Sequence, residues 1–401
     1  MDTAVDDLMA LLRIPGAPGE EAAVAEHLEG TLLSCGVPAE AIRRDKAFEA
    51  SEYGGQCGNL IVQFPAAGRH VGPARLFSAH MDTIPLAAGC RPRFAKSGDQ
   101  SGKGGRIVND AIDTALGGDN RTGCAVLLHV ARMLAGEGAP EPRPPVVLVF
   151  FVQEEVGLVG SRQFDVDALG VSDGTWGFNF DGGRVAQIVT RVIGTSRFKI
   201  DLRGVAAHAG AYPGSGVSAA VAAAHAIASL DRDGWHGRIE KAEGRGSANI
   251  GTLQGGTGTN VVMDRLEILA EVRSHDAAFR DKLLDVYKEA FGKAASQTKN
   301  RQGRCAEVSF ADGPRYESFA LEDEASVVAA AVAAVKACGL QPTLVSNDGG
   351  MDANHLNAKG VPTVTFGVGQ HDVHAPGEWI DLEEFLIACR LASELVTAGP
   401  C

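Results

Sequence analysis

The spacing of apolar and polar residues changes along the chain and marks out its elements. Residues 3–13 and 19–34 carry apolar positions at helical spacing, separated by the breaker Pro15-Gly16-Ala17-Pro18-Gly19. Short apolar runs at 59–64, 75–79, 145–152 and 176–180 read as buried strands, and 122–134 as a helix between them. Residues 86–118 are rich in glycine and polar side chains, which predicts long loops with an edge hairpin. Apolar strands alternating with helices predict an α/β domain built on a mixed sheet with helices on both faces.

The texture changes near residue 187. Segments 187–203, 247–254 and 260–273 alternate apolar and polar residues as half-exposed strands do, with helical stretches at 216–230 and 276–295. That pattern predicts a smaller α+β unit, an open sheet with helices on one face. After residue 311 the first style returns: a helix at 323–337, a strand at 343–346, a helix at 350–358, a strand at 362–367 and a helix at 381–397. Residues 190–309 are therefore expected to be a domain inserted into a discontinuous domain of residues 1–189 and 310–401.

At 401 residues, 45% of them hydrophobic and 22% charged, the composition is that of an ordinary globular protein. The longest apolar runs, residues 146–152 and 327–335, are far short of the roughly 18 residues a membrane helix needs. The opening Met1-Asp2-Thr3, followed by Asp6 and Asp7, lacks the basic and apolar regions of a signal peptide, so a cytoplasmic location is expected. A net charge of −13 argues against nucleic acid as a partner. The eight cysteines include no C-x-x-C pair, which indicates neither a disulfide framework nor a thiolate zinc site.

In open α/β sheets, ligands bind at the carboxyl ends of the strands, so the residues after each apolar run carry the interest. His80-Met81-Asp82 follows the run ending at 79, and Gly117-Gly118-Asp119-Asn120 precedes the helix at 122. Gln153-Glu154-Glu155 follows the run ending at 152, and Asp181-Gly182-Gly183 follows the run ending at 180. Gln370-His371-Asp372-Val373-His374 follows the strand at 362–367. Each fragment alone is weak, since an H-x-D arises by chance and a lone histidine more often makes a structural hydrogen bond. Together they deliver histidines and carboxylates to one rim, and paired acids closing an apolar strand need cations to compensate them. Imidazole and carboxylate donors suit zinc, and also cobalt or manganese. A carboxylate can bridge two metals about 3.5–4 Å apart. On extended chain, Asp82 at i+2 can hold the far ring nitrogen of His80. Of the adjacent Glu154 and Glu155, one can ligate while the other serves as general base.

The series His80-Met81-Asp82-Thr83, Gly118-Asp119-Asn120-Arg121-Thr122-Gly123, Glu154-Glu155-Val156-Gly157, Asp181-Gly182 and the late His374 resembles the co-catalytic zinc exopeptidases. These include peptidase T, carboxypeptidase G2-type enzymes and the aminoacylases. Phe180-Asp181-Gly182-Gly183, Gly349-Gly350-Met351-Asp352-Ala353-Asn354 and Gly367-Val368-Gly369 resemble the peptidase T-like branch most closely. The resemblance implies two divalent ions, with Asp119 bridging, His80 and Asp181 on one metal, and Glu155 and His374 on the other. It makes Glu154 the base that activates the attacking water, and Asp82 the orienter of His80. It also implies that the inserted domain is a lid that mediates dimerisation in many members. There His208, within Gly204-Val205-Ala206-Ala207-His208-Ala209-Gly210, helps stabilise the tetrahedral intermediate, in some members from the partner subunit. Asn260 and Arg273 match positions associated with substrate binding. The plain alternatives are a helix cap for His208, a chain turn for Asn260, and an ion pair with Glu271 or Asp276 for Arg273.

Two departures stand out: Asn120-Arg121 where relatives commonly place a second acid before Lys or Arg, and Met351 where they place Ser or Thr. The resemblance also implies a cis peptide bond after Asp119. Asp110, Asp113, His355 and His371 read as loop polarity, and Asp352 as a pocket residue. The expected function is that of a tripeptide aminopeptidase acting on short peptides. An N-acyl amino acid deacylase or carboxypeptidase on the same scaffold is the alternative, and a non-catalytic metal-binding protein the reading of another class.

Overall fold

The computed structural model describes residues 2–69, 72–95, 105–169 and 174–398. The chain forms two compact units, Met1–Arg191 with Ala320–Cys401, and Val192–Phe319. Among the described residues, no helix is long and apolar enough to cross a membrane.

Strand Val146–Phe151 lies inside the first unit because all its side chains are apolar and all are buried. Val146, Leu148 and Phe150 enter one apolar cluster, and Val147, Val149 and Phe151 enter another. Alternate side chains of a strand point to opposite faces, so a fully apolar run needs cover on both. Helices Ala22–Ser34, Gly118–Ala135, Ser326–Ala337 and Leu382–Thr397 cover one face through Leu28, Leu127, Val328 and Leu391. Helix Ala353–Ala358 brings Leu356 to the other.

Among the described residues the sheet has nine strands, and its centre runs Leu60–Phe64, Val146–Phe151, Arg75–His80, Trp176–Phe180, Thr363–Phe366. Leu60–Phe64 is antiparallel to its neighbour. The other four are parallel to one another, so their carboxyl ends share one edge. A small second sheet pairs Gln370–His371 with Trp379–Asp381, then Arg106–Asn109, then Pro92–Phe94. The last two are the expected edge hairpin, whose residues 96–104 lie outside the described ones.

The second unit is a five-stranded antiparallel sheet in the order Gly237–Lys241, Gly244–Gly255, Arg265–Ser274, Gly194–Arg203, Glu307–Tyr316. Phe198, Ile200, Leu202, Ile268 and Val272 point to one face, where helices Ala219–Arg232 and Ala277–Gln297 close a core with Ala222, Ala226, Leu283 and Phe291. Leu253 and Leu269 belong to the strands but stay exposed. Each helix starts at a side-chain cap, Ser218 accepting from the Val221 N–H and Asp276 from the Ala278 and Phe279 N–H groups. The unit continues beyond the boundary expected at 309, because Glu307–Tyr316 pairs with Gly194–Arg203. This strand lies at the edge, most of its side chains are exposed, and its register shifts around Gly313-Pro314. It therefore carries little of the alternation that betrays a strand in sequence.

Candidate metal centre

The ends of three parallel strands, the start of a helix and a hairpin loop bring the five expected ligands to one place in the first unit. His80 is the last residue of its strand and is 1% exposed. Asp181 directly follows Trp176–Phe180, and its N–H is held by the Phe366 carbonyl of the next strand at 3.0 Å. Asp119 lies in the first turn of helix Gly118–Ala135, where it and Asn120 depart from helical φ/ψ, and the Asp119–Asn120 peptide bond is cis. Glu154 and Glu155 follow Gln153, a left-handed residue (φ 53°) that turns the chain out of the buried strand. His374, also left-handed (φ 64°), lies in the loop between strands Gln370–His371 and Trp379–Asp381.

Asp119 faces a different histidine with each carboxylate oxygen. Its Oδ1 is 3.1 Å from His80 Nε2, and its Oδ2 is 3.2 Å from His374 Nε2. Asp181 Oδ1 is 3.9 Å from His80 Nε2, and Glu155 Oε1 is 2.9 Å from His374 Nε2. Candidate donor atoms of His80, Asp119 and Asp181 lie within 4.8 Å of one another, and so do those of Asp119, Glu155 and His374. The residues fit a pair of divalent cations: two nitrogen-and-oxygen donor sets that share one carboxylate, with more carboxylates than imidazoles.

The electrostatics reflect that excess of acid. Burial pushes the Glu154 and Asp181 carboxyls well above the usual range, with Asp352 adding to the repulsion on both. Burial opposes the charged form of His80, yet its contacts with Asp119 and Asp82 hold it well above an ordinary histidine. Asp119 and Glu155 raise His374 to about 10. Burial acts against the Asp119 carboxylate, but His374 and His80 draw it below the ordinary aspartate range.

Asp82 does more than the H-x-D spacing suggests. His80 Nδ1 is 3.0 Å from the Asp82 backbone carbonyl and 3.4 Å from its carboxylate. The carboxylate accepts the backbone N–H groups of Glu154 at 2.9 Å and Glu155 at 3.1 Å. One buried side chain thus ties the His80 strand to both glutamates.

Two residues without a legible signal also shape the site. Glu378 is 3% exposed and accepts the N–H groups of Gly117 at 2.8 Å and Asp119 at 3.1 Å. Gln370 donates to the Gly118 carbonyl at 2.9 Å and approaches Asn120 Oδ1 and Thr122 Oγ1. Gln370 opens the fragment that ends in His374, but neither residue's role shows locally, because what they hold lies about 250 residues earlier in the chain.

His208, Asn260 and Arg273 belong to the second unit. His208 Nδ1 accepts the N–H groups of Gly210 at 3.2 Å and Ala211 at 3.1 Å, so it stabilises its own turn. The Asn260 carbonyl accepts the Ala209 N–H at 2.9 Å, which sets the two segments side by side. Arg273 forms a two-pronged pair with Glu271, Nε to Oε1 at 2.8 Å and Nη2 to Oε2 at 3.2 Å. Of the other polar candidates, Asp110 pairs with Arg93, and His371 stacks on Trp379 with ring centres 4.1 Å apart. Asp352 is buried beside Ser161, and burial raises its carboxyl to about 7.

Comparison with known proteins places the chain in a family. Residues 192–299 match the family described as a peptidase dimerisation domain, and residues 59–212 match peptidase family M28. The chain is 30% identical to the aminopeptidase PepT of Bacillus cereus ATCC 10987, covering 98% of this chain and 97% of that one, with a TM-score of 0.79. It is 25% identical to a tripeptidase of Staphylococcus aureus over 98% and 97% of the two chains, with a TM-score of 0.82. The uncharacterised protein YqjE of Bacillus subtilis (strain 168) is 28% identical over 98% of this chain and 97% of its own length. With its mixed-sheet domain, inserted second unit and shared-carboxylate cluster, the chain is a peptidase of the peptidase T-like M20 family.

Proposed function

We propose that this peptidase is a two-metal exopeptidase of the tripeptide aminopeptidase kind, acting on short peptides. The observation that carries the reading is the placement of the two Asp119 oxygens against two different histidines, each accompanied by a further carboxylate. His80, Asp119 and Asp181 would hold one cation, and Asp119, Glu155 and His374 the other, zinc being the first choice for these donors and cobalt or manganese the alternatives. Such a pair would polarise the scissile carbonyl and make a water between them more acidic.

The protein's own groups carry the proton. Glu154 takes it from the attacking water and returns it to the departing amine, while Asp82 holds the Glu154 backbone in place. His208 is assigned to the developing oxyanion, and Asn260 and Arg273 to a substrate carboxylate, with the second unit acting as lid and as the contact of a homodimer. A cytoplasmic location suits such an enzyme.

The likeness to an aminopeptidase and a tripeptidase supports peptides as substrates. The test is a panel of tripeptides, dipeptides and N-acetyl amino acids offered to metal-quantified protein. Tripeptides are expected to turn over fastest, with two metals per chain. Faster cleavage of N-acetyl amino acids would make the enzyme a deacylase, and one metal per chain would remove the bridging role of Asp119. Glu154→Gln is expected to keep both metals and lose at least about a hundredfold in turnover. Turnover within tenfold of wild type would assign the base elsewhere.

A further inference from the structure

The segment that carries His374 leaves as strand Gln370–His371 and returns as Trp379–Asp381, with Gln370 opposite Ile380 and His371 opposite Trp379. Both legs of this hairpin grip the turn that carries Asp119. From one leg, the Gln370 amide donates to the Gly118 carbonyl. From the other, Glu378 accepts at both oxygens, Oε2 from the Gly117 N–H at 2.8 Å and Oε1 from the Asp119 N–H at 3.1 Å. Ile380 closes the contact, since a Cβ on Gly118 would stand 3.0 Å from its Cγ1 and 3.1 Å from Glu378 Oε1. Gly117 makes the turn with φ 76°, a left-handed conformation that favours glycine.

The chemistry of these contacts selects a carboxylate. The two backbone N–H groups lie in a non-helical turn that precedes the regular helix, and being buried they need two acceptors. An amide of the same size would accept from one N–H and press its own NH2 against the other. The buried carboxylate also bridges two ligand-bearing segments, because Glu378 lies four residues after His374 and holds the Asp119 amide itself. His374 Nε2 and Asp119 Oδ2 are 3.2 Å apart.

We propose that Glu378 is a positioning residue: it fixes the Asp119 carboxylate relative to His374 and so sets the second of the two metal positions. The proposal rests on the two-metal reading above. Its test compares wild type, Glu378→Gln and Leu128→Ala, the last a control that removes a buried core side chain from the same helix. Zinc stoichiometry and affinity are measured by titration of the metal-free proteins, and kcat and KM with a tripeptide. In Glu378→Gln, the first zinc is expected to bind within threefold of wild type. The second is expected to weaken by about 10–100-fold, with kcat falling and KM within threefold. Leu128→Ala, although less stable, is expected to bind both ions as wild type does.

Two zinc ions bound equally by wild type and Glu378→Gln would overturn the proposal alone. So would an equal loss of the second ion in Leu128→Ala, which would reduce Glu378 to general stability. Wild-type protein binding fewer than two zinc ions would overturn the two-metal reading and the proposal with it. If Glu378→Gln does not fold, Glu378→Asp keeps the charge but shortens the reach. It is then expected to weaken the second zinc at least about threefold, and wild-type affinity would overturn the proposal.

Discussion

Single buried acids do different work in this protein according to what they touch. Glu21 is fully buried, with Oε1 accepting the N–H groups of Gly19 and Gln153, each at 3.0 Å. Its Oε2 has no hydrogen-bond partner among the described residues. Burial, with Asp82 nearby, raises its carboxyl from 4.5 to about 7. The sign follows from linkage: the protonated form is favoured by folding, so its contribution is whole below pH 4.5 and is lost as the pH rises through about 7. Glu21→Gln keeps an acceptor for the two N–H groups and cannot ionise. Relative to wild type it is expected to gain about 2–3 kcal/mol of stability between pH 4.5 and pH 8. Urea unfolding with chelator present at each pH reads this difference, and a constant gap between the two proteins would refute it. Asp82 is the contrast, buried but satisfied by the Glu154 and Glu155 amides.

At the scale of elements, strand Val146–Phe151 is where burial counts most. Phe150 is fully buried between strands and helices, so Phe150→Ala is expected to cost about 3–5 kcal/mol by denaturant unfolding. Leu269→Ala, on a strand of the second unit but 46% exposed, is expected to cost less than about 1 kcal/mol. Equal losses would mean that the exposed face of that sheet is covered in solution. The same contrast explains which elements the sequence made legible. Trp176–Phe180 is buried along its whole length, and its apolar run predicts the same bounds. Gly237–Lys241 and Glu307–Tyr316 escape prediction, because edge strands with mostly exposed side chains have no buried face to impose a period.

For the whole molecule, the candidate ligands all belong to the first unit, while the second has its own apolar core. Removing cations from a cluster of buried acids leaves them to repel one another. Chelation is therefore expected to lower the thermal midpoint of the transition that unfolds the first unit. A ligand present at a thousand times its dissociation constant contributes about 4 kcal/mol. Calorimetry with and without chelator measures the effect, and identical traces would show that the ions add nothing to stability.

The sequence by itself determined the class of the fold and the identity of the ligand candidates. Long buried strands and amphipathic helices leave a strong periodic trace, and acids closing apolar runs point to one rim. Tertiary structure alone decided how those residues meet. It set the two oxygens of Asp119 against separate histidines, turned the Asp82 carboxylate toward two backbone amides, and brought Glu378 to the Asp119 turn. It also carried the second unit on to Phe319. These are contacts between residues far apart in the chain, made by single side chains with no periodicity. Local patterning records burial, whereas the partner of a buried polar group is set only when the strands and loops come together.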